Sequence, residues 1–220
     1  MVIATLLWGA TFVVLRDALA SLEPTVVVFA RFSAAAAIFA LLLAPRARAL
    51  DRAALIGGTL SGALTAGGYL FQAIGLTRIS AGSSAFLTST GTLFAGLFAW
   101  PLLGQRPAAV LTLGLLLATL GSALLPARSD LRLGPGEWWT LFGALVYALQ
   151  IVTVARFAPR VDPVALTGVQ SLTVAVTLAP FAWGAVSQIT RLAGAAWWRV
   201  GYLVVAGSVV APLLQVVAQR

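Results

Sequence analysis

The 220-residue sequence contains no cysteine and no histidine, and all 14 of its basic residues are arginine. Without those two residue types the chain offers no thiolate nucleophile, disulfide framework, imidazole base or usual zinc ligand set. Most membrane-enzyme mechanisms are excluded with them, and no cofactor or metal is expected. Charge of any kind is scarce: 9% of residues are charged, against about 25% in soluble domains. No carboxylate falls deep inside an apolar stretch, since Asp17, Glu23, Asp51, Asp130, Glu137 and Asp162 stand at stretch ends or between stretches. A carboxylate proton relay of the usual intramembrane kind is therefore not visible. Met1 runs into Val2-Ile3-Ala4 without a positive leader, so the first apolar run is expected to act as its own insertion signal.

Apolar residues make up 60% of the chain and the mean hydropathy is +1.00. Stretches such as Ala53 to Thr77, Ile79 to Gln105, Pro107 to Ala127 and Pro163 to Thr190 carry no charge and exceed the roughly 20 helical residues needed to cross a bilayer. The expected fold is all-α, a polytopic transmembrane helix bundle. Eight spans are predicted, at Val2 to Leu15, Thr25 to Ala44, Ala54 to Leu76, Gly82 to Leu103, Ala108 to Leu125, Trp138 to Ala155, Val164 to Val186 and Arg199 to Ala218. Short Pro/Arg-bearing connections leave no room for a soluble domain. The first span, with about 14 residues before Arg16, is short for a hydrocarbon core of about 30 Å.

The net charge of +8 comes from arginines scattered between the spans, which is loop chemistry and not a nucleic-acid stripe. With the amino terminus inside, basic residues divide almost evenly between the two sides. The cluster Arg46, Arg48 and Arg52 favours a cytoplasmic loop after the second span. Six tryptophans (Trp100, Trp138, Trp139, Trp183, Trp197 and Trp198) fall near span ends, as headgroup belts do. Trp8 lies inside the first span instead.

Arg31 is the one charge well inside a span, about 10 Å deep counted from Pro24. Two readings stand. Its long stem reaches back to the headgroups or pairs with Glu23 on the same helix, or it lines a cavity, selecting anions or holding a gate. Gln72, Gln150, Gln170 and Gln215, with Tyr69 and Tyr147, are the large neutral polar groups within spans. Tyr69 and Gln72 share a helix face at i, i+3, as do Tyr147 and Gln150. Lipid offers such groups no partner, so they are expected to face the bundle, as interhelical hydrogen bonds or as cavity lining. Gly58, Gly62 and Ala66 form a small-residue seam for close packing. Pro180 and Pro212 are expected to kink their spans.

The chain also repeats itself. Trp8 precedes Pro24 by the spacing at which Tyr147 precedes Pro163, and Arg31 follows Pro24 as Gln170 follows Pro163; one offset of 139 residues relates these pairs. Leu70-Phe71-Gln72-Ala73 resembles Leu213-Leu214-Gln215-Val216 at an offset of 143. Residues 1–125 then form a first repeat of helices one to five, and 126–220 a partial second repeat of helices six to eight. An odd number of helices per unit inverts the second copy in the membrane. A full second unit would need about 48 residues beyond Arg220.

Trp8-Gly9-Ala10-Thr11-Phe12-Val13, Arg31-Phe32, Ala81-Gly82-Ser83-Ser84-Ala85-Phe86-Leu87-Thr88, Leu103-Gly104-Gln105-Arg106 and Leu214-Gln215-Val216-Val217-Ala218-Gln219-Arg220 together resemble the EamA-type drug/metabolite transporters, over the whole chain. The resemblance implies ten helices in two inverted five-helix halves, a substrate cavity between them and cytoplasmic termini, with helices nine and ten absent here. Gln105 stands where that family usually has Glu, and Thr92 where it often has Pro. The expected activity is secondary transport or export of small organic metabolites or drugs by alternating access, in a cell (inner) membrane of a bacterium. The alternatives are a truncated, non-transporting remnant or membrane assembly partner, or a membrane-embedded enzyme. On the truncated reading the chain alone is expected not to transport. The cavity candidates are Trp8, Thr11, Arg31, Tyr69, Gln72, Tyr147, Gln150, Gln170 and Gln215. Expected partners are a small-molecule substrate and the lipid bilayer, with room for a homodimer and no nucleic acid.

Overall fold

A computed structural model describes residues 2–106, 109, 113–114, 116–117, 133–192 and 194–220. The predicted fifth span, Ala108 to Leu125, lies almost wholly outside these residues. The described chain is helical throughout apart from its connections: α1 (Val2–Ala18), α2 (Pro24–Leu43), α3 (Arg52–Leu76), α4 (Ala81–Leu103), α5 (Pro135–Phe157) and α6 (Pro163–Ala182). A final rod follows, made of α7 (Ala195–Tyr202), a π-helical stretch (Leu203–Val210) and α8 (Ala211–Ala218). Six helices among the described residues are long and apolar enough to cross a membrane. The 17-residue α1 is just below that length, at about 25 Å.

The scarce acids explain where helices begin. Asp51 accepts the Ala54 N–H at the start of α3, and Asp162 accepts those of Val164 and Ala165 at the start of α6. Glu137 accepts the Gly134 N–H at the start of α5. Each satisfies backbone donors that a helix N-terminus leaves without partners. Pro24, Pro135 and Pro163 occupy first-turn positions, where the missing N–H costs nothing. Gly104 ends α4 with φ +71°, a left-handed conformation that glycine adopts without a Cβ clash.

Two predicted boundaries are corrected. Arg16 does not end the first span: α1 continues to Ala18, and Arg16 Nη1 donates to the Leu76 carbonyl at the end of α3, 3.1 Å away. A cation in the last turn is favourable to the helix dipole and satisfies an orphan carbonyl of its neighbour. The last span begins at Ala195, ahead of the predicted Arg199, and changes pitch within the membrane. Pro212 has no N–H to return to the Ser208 carbonyl, so the ladder before it widens to π pitch.

Glycines set the helix spacing. On α3, Gly75 lies against Gly136 and Thr140 of α5, and Gly68 lies against Tyr147. Gly143 in turn meets the Gly68 carbonyl. These contacts run in opposite order along the two helices, so α3 and α5 are antiparallel. Gly58 meets Val169 and Gly62 meets Thr173, in the same order, so α3 and α6 are parallel. The predicted seam is thus the α3–α6 contact, where the lack of side chains lets backbones approach and dispersion drive packing. The six tryptophans predicted at span ends are all exposed.

Packing between the two parts of the chain is paired. The rod lies on α1 as α5 lies on α3, and on α2 as α6 lies on α3, while α2 and α6 also meet. An apolar cluster closes one end of the bundle, with Val14, Leu15, Ala18, Leu22, Val26, Val27, Leu76, Leu178 and Leu203 among its members. At that end Asp17 lies 3.9 Å from Arg199, and Glu23 Oε1 accepts from Gln188 Nε2 at 2.7 Å.

Candidate substrate cavity

Between these helices lies a cavity of about 740 Å³. Of the nine sequence candidates, Trp8, Thr11, Tyr69, Gln72, Tyr147, Gln150, Gln170 and Gln215 line it, and Arg31 does not. They come from α1, α3, α5, α6 and α8, residues separated by up to 207 positions in sequence. Phe12, Thr65, Thr88, Gln105 and Gln219 line it as well. Thr5, Ser89, Thr92 and Gln105, also in its wall, are exposed, so the cavity opens beside α1 and α4.

The polar side chains are tied together across helices. Tyr147 donates to Gln72 Oε1 at 3.4 Å, and Gln72 Nε2 donates to Thr88 Oγ1 at 3.1 Å. Gln215 Nε2 donates to Gln150 Oε1 at 3.3 Å. Thr11 returns its hydroxyl to the Trp8 carbonyl at 2.6 Å. The rings of Tyr69 and Tyr147 meet edge to face with centroids 5.3 Å apart, a favourable quadrupole arrangement. Amides need such partners because an unpaired polar group in an apolar medium costs several kcal/mol, of order 2–7.

Arg31 is fully buried, and neither expected placement holds: it does not line the cavity, nor does it reach the surface. Its stem does not reach the headgroups, and Glu23 is engaged with Gln188 instead. The guanidinium turns inward: Nε donates to Ser208 Oγ at 2.7 Å, and Cζ lies 4.6 Å from the centre of the Tyr69 ring and 5.5 Å from that of Phe32. Tyr69 separates it from the cavity. Gly207 leaves room for it, since a Cβ there would strike Nη2. Both Nη atoms, Trp8 Nε1 and Gln170 Oε1 are buried without a hydrogen-bond partner.

Sequence reasoning missed Ser208, Thr88 and Gln219. Ser208 carried a signal in retrospect: it falls between Gly207 and Pro212 in an otherwise apolar span, where a π-helical turn is favoured and such turns cluster at functional sites. Thr88 and Gln219 fall inside motifs quoted for the family resemblance, but nothing in those motifs marked either side chain as cavity lining.

Among solved structures, one described only as a crystal structure of a protein superposes with a TM-score of 0.75 at 20% identity, covering 99% of this chain and 77% of that one. That likeness concerns the fold alone. A curated protein of Archaeoglobus fulgidus described as an uncharacterized transporter is 29% identical over 186 residues, 83% of this chain. The chain spans 56% of that relative's length. The EamA-like transporter family model matches residues 1–126 and 134–220. The chain therefore belongs to the EamA-like transporter family of multi-pass membrane transporters.

Proposed function

We propose that the protein is a secondary transporter of small organic molecules that works by alternating access between two inverted halves, α1–α4 with the chain up to residue 125 and α5–α8 with the chain from 126. The observation that carries this reading is the cavity itself: its wall takes equivalent positions from both halves. Trp8 and Tyr147, Thr11 and Gln150, and Gln72 and Gln215 are related by the same offsets of 139 or 143 residues, and all six line it. A wall shared by two equivalent halves is what rocking of one half about a central site requires. The paired packing of α1 and α2 on the rod, and of α5 and α6 on α3, supports the same pseudo-two-fold relation.

In this state the site communicates with the end marked by Gln105 and Gln219, while the apolar cluster closes the other end. A substrate held among neutral amides, hydroxyls and aromatic faces is small and organic, and binds in a space of a few hundred cubic ångströms. The membrane is the inner membrane of a bacterial cell. Counterflow in proteoliposomes against a panel of small organic acids, alcohols and amines tests the proposal. Saturable counterflow of at least one compound is expected; its absence for the full-length protein, with specific binding retained, overturns transport as the activity.

A further inference from the structure

We infer that the stretch of cavity wall formed by Tyr69 and Trp8, with the Arg31 guanidinium directly behind it, is an anion site, receiving the carboxylate of a small organic acid whose remaining body is neutral. The inference deepens the transporter reading and rests on it for the ligand being cargo, but not for its binding.

The site has donors in excess. Arg31 carries five N–H groups; Nε donates to Ser208, and Nη1, Nη2 and the neighbouring Trp8 Nε1 have only the Tyr69 hydroxyl within reach. Trp8, Tyr147 and Arg31 all surround the Tyr69 hydroxyl. That hydroxyl makes only a long 3.3 Å bond to the Gly207 carbonyl, from which it can turn toward a ligand acceptor. The aromatic faces of Phe32 and Tyr69 accommodate a cation without neutralising it. Among the described residues no carboxylate pairs with Arg31: Asp51 and Asp162 cap helices, Asp17 faces Arg199 and Glu23 holds Gln188. A fixed buried charge without a counter-ion is a strong demand for one.

The charge also selects the ligand. Arg31 lies one side chain behind the cavity wall, and at about 6 Å with an effective dielectric near 20 its field favours an anion over a neutral isostere by roughly a hundredfold. A single cation suits a monoanion. No Asp or Glu lines the cavity among the described residues, so no carboxylate there offsets the Arg31 charge, and cations are disfavoured. The unpartnered Gln170 Oε1 is an acceptor suited to a hydroxyl or amide N–H on the ligand body.

The test compares three probes of one shape, benzoate, benzyl alcohol and benzylammonium, by calorimetry and thermal shift on the purified full-length protein in phosphatidylcholine nanodiscs. Benzoate is expected to bind at least tenfold more tightly than benzyl alcohol, and benzylammonium not at all. Arg31→Gln is expected to abolish the preference, Arg31→Lys to keep part of it, and Trp8→Phe to weaken benzoate more than benzyl alcohol. The three-probe comparison needs no variant to fold. Equal binding of benzoate and benzyl alcohol, tighter binding of benzylammonium, no binding of any probe, or benzoate binding insensitive to a folded Arg31→Gln each overturns the inference. Loss of benzoate binding on adding phosphatidylglycerol assigns the site to a lipid headgroup and also overturns it. Counterflow without carboxylate preference removes this inference and leaves transport standing; carboxylate binding without counterflow does the reverse.

Discussion

Arg31 and Ser208, 177 positions apart, meet in a 2.7 Å hydrogen bond where the last helical rod has π pitch. Ser208 Oγ in turn donates to the Leu203 carbonyl at 3.2 Å, five residues back along the same rod. Ser208→Ala removes both bonds and leaves Nε of a buried guanidinium without an acceptor. The expected cost is about 1–3 kcal/mol, read as a lower unfolding temperature in detergent. Ser208→Thr, which keeps the hydroxyl, is expected to recover most of it. Equal stability of wild type and the alanine variant would show that the bond contributes nothing.

Gly75 holds α3 against α5. A Cβ there would lie 2.7 Å from the Gly136 carbonyl and would strike Thr140 as well. Neither neighbour is the free end of a flexible chain. Gly75→Ala is expected to destabilise by about 1–3 kcal/mol through forced separation of the helices. Gly201→Ala is the matched control, because nothing lies within 4 Å of its Cβ position, and it is expected to be neutral or slightly stabilising. Similar losses in both variants would refute close packing as the cause.

Gln150 and Gln215 link α5 to α8 at 3.3 Å. A double-mutant cycle with Gln150→Leu and Gln215→Leu is expected to give a coupling of about 0.6 kcal/mol, typical of membrane interhelical hydrogen bonds. Additive losses would mean that the two amides act separately.

The absence of cysteine makes introduced thiols unambiguous reporters of the proposed conformational change. Glu23 and Gln188 are joined by two hydrogen bonds, the second from the Glu23 N–H to Gln188 Oε1 at 2.9 Å, which on the proposed mechanism hold that end closed. Leu22→Cys, buried beneath them, is expected to react slowly with a membrane-impermeant maleimide. Adding Gln188→Ala is expected to speed that reaction several-fold and to slow labelling of Gln219→Cys at the other end. Parallel acceleration at both ends would indicate loosening of the fold in place of alternation.

Surface charge at the same end contributes less. The Asp17–Arg199 pair is long at 3.9 Å and partly exposed, and Asp17→Asn is expected to change stability by less than about 1 kcal/mol.

The membrane class, the positions of the six described membrane-length helices and most of the polar wall were legible in the sequence, and the reason is solvent. Lipid leaves every polar group only protein to bind, so Gln72, Gln150, Gln170, Gln215, Tyr69 and Tyr147 stand out against apolar runs before any coordinates exist. The matched spacing of Trp8 with Tyr147 pointed to two residues that both line the cavity. What tertiary structure alone decided is direction and partnership. Helix periodicity places Arg31 on a face but cannot say whether its stem reaches out or in; that was set by Ser208, Gly207 and Tyr69 on helices far away in sequence. The extent of α1 was likewise decided by the Leu76 carbonyl, which gave Arg16 a partner and let the helix continue through a charge. Burial and period are local properties of a chain, whereas a hydrogen-bond partner belongs to whichever helix packing brings near.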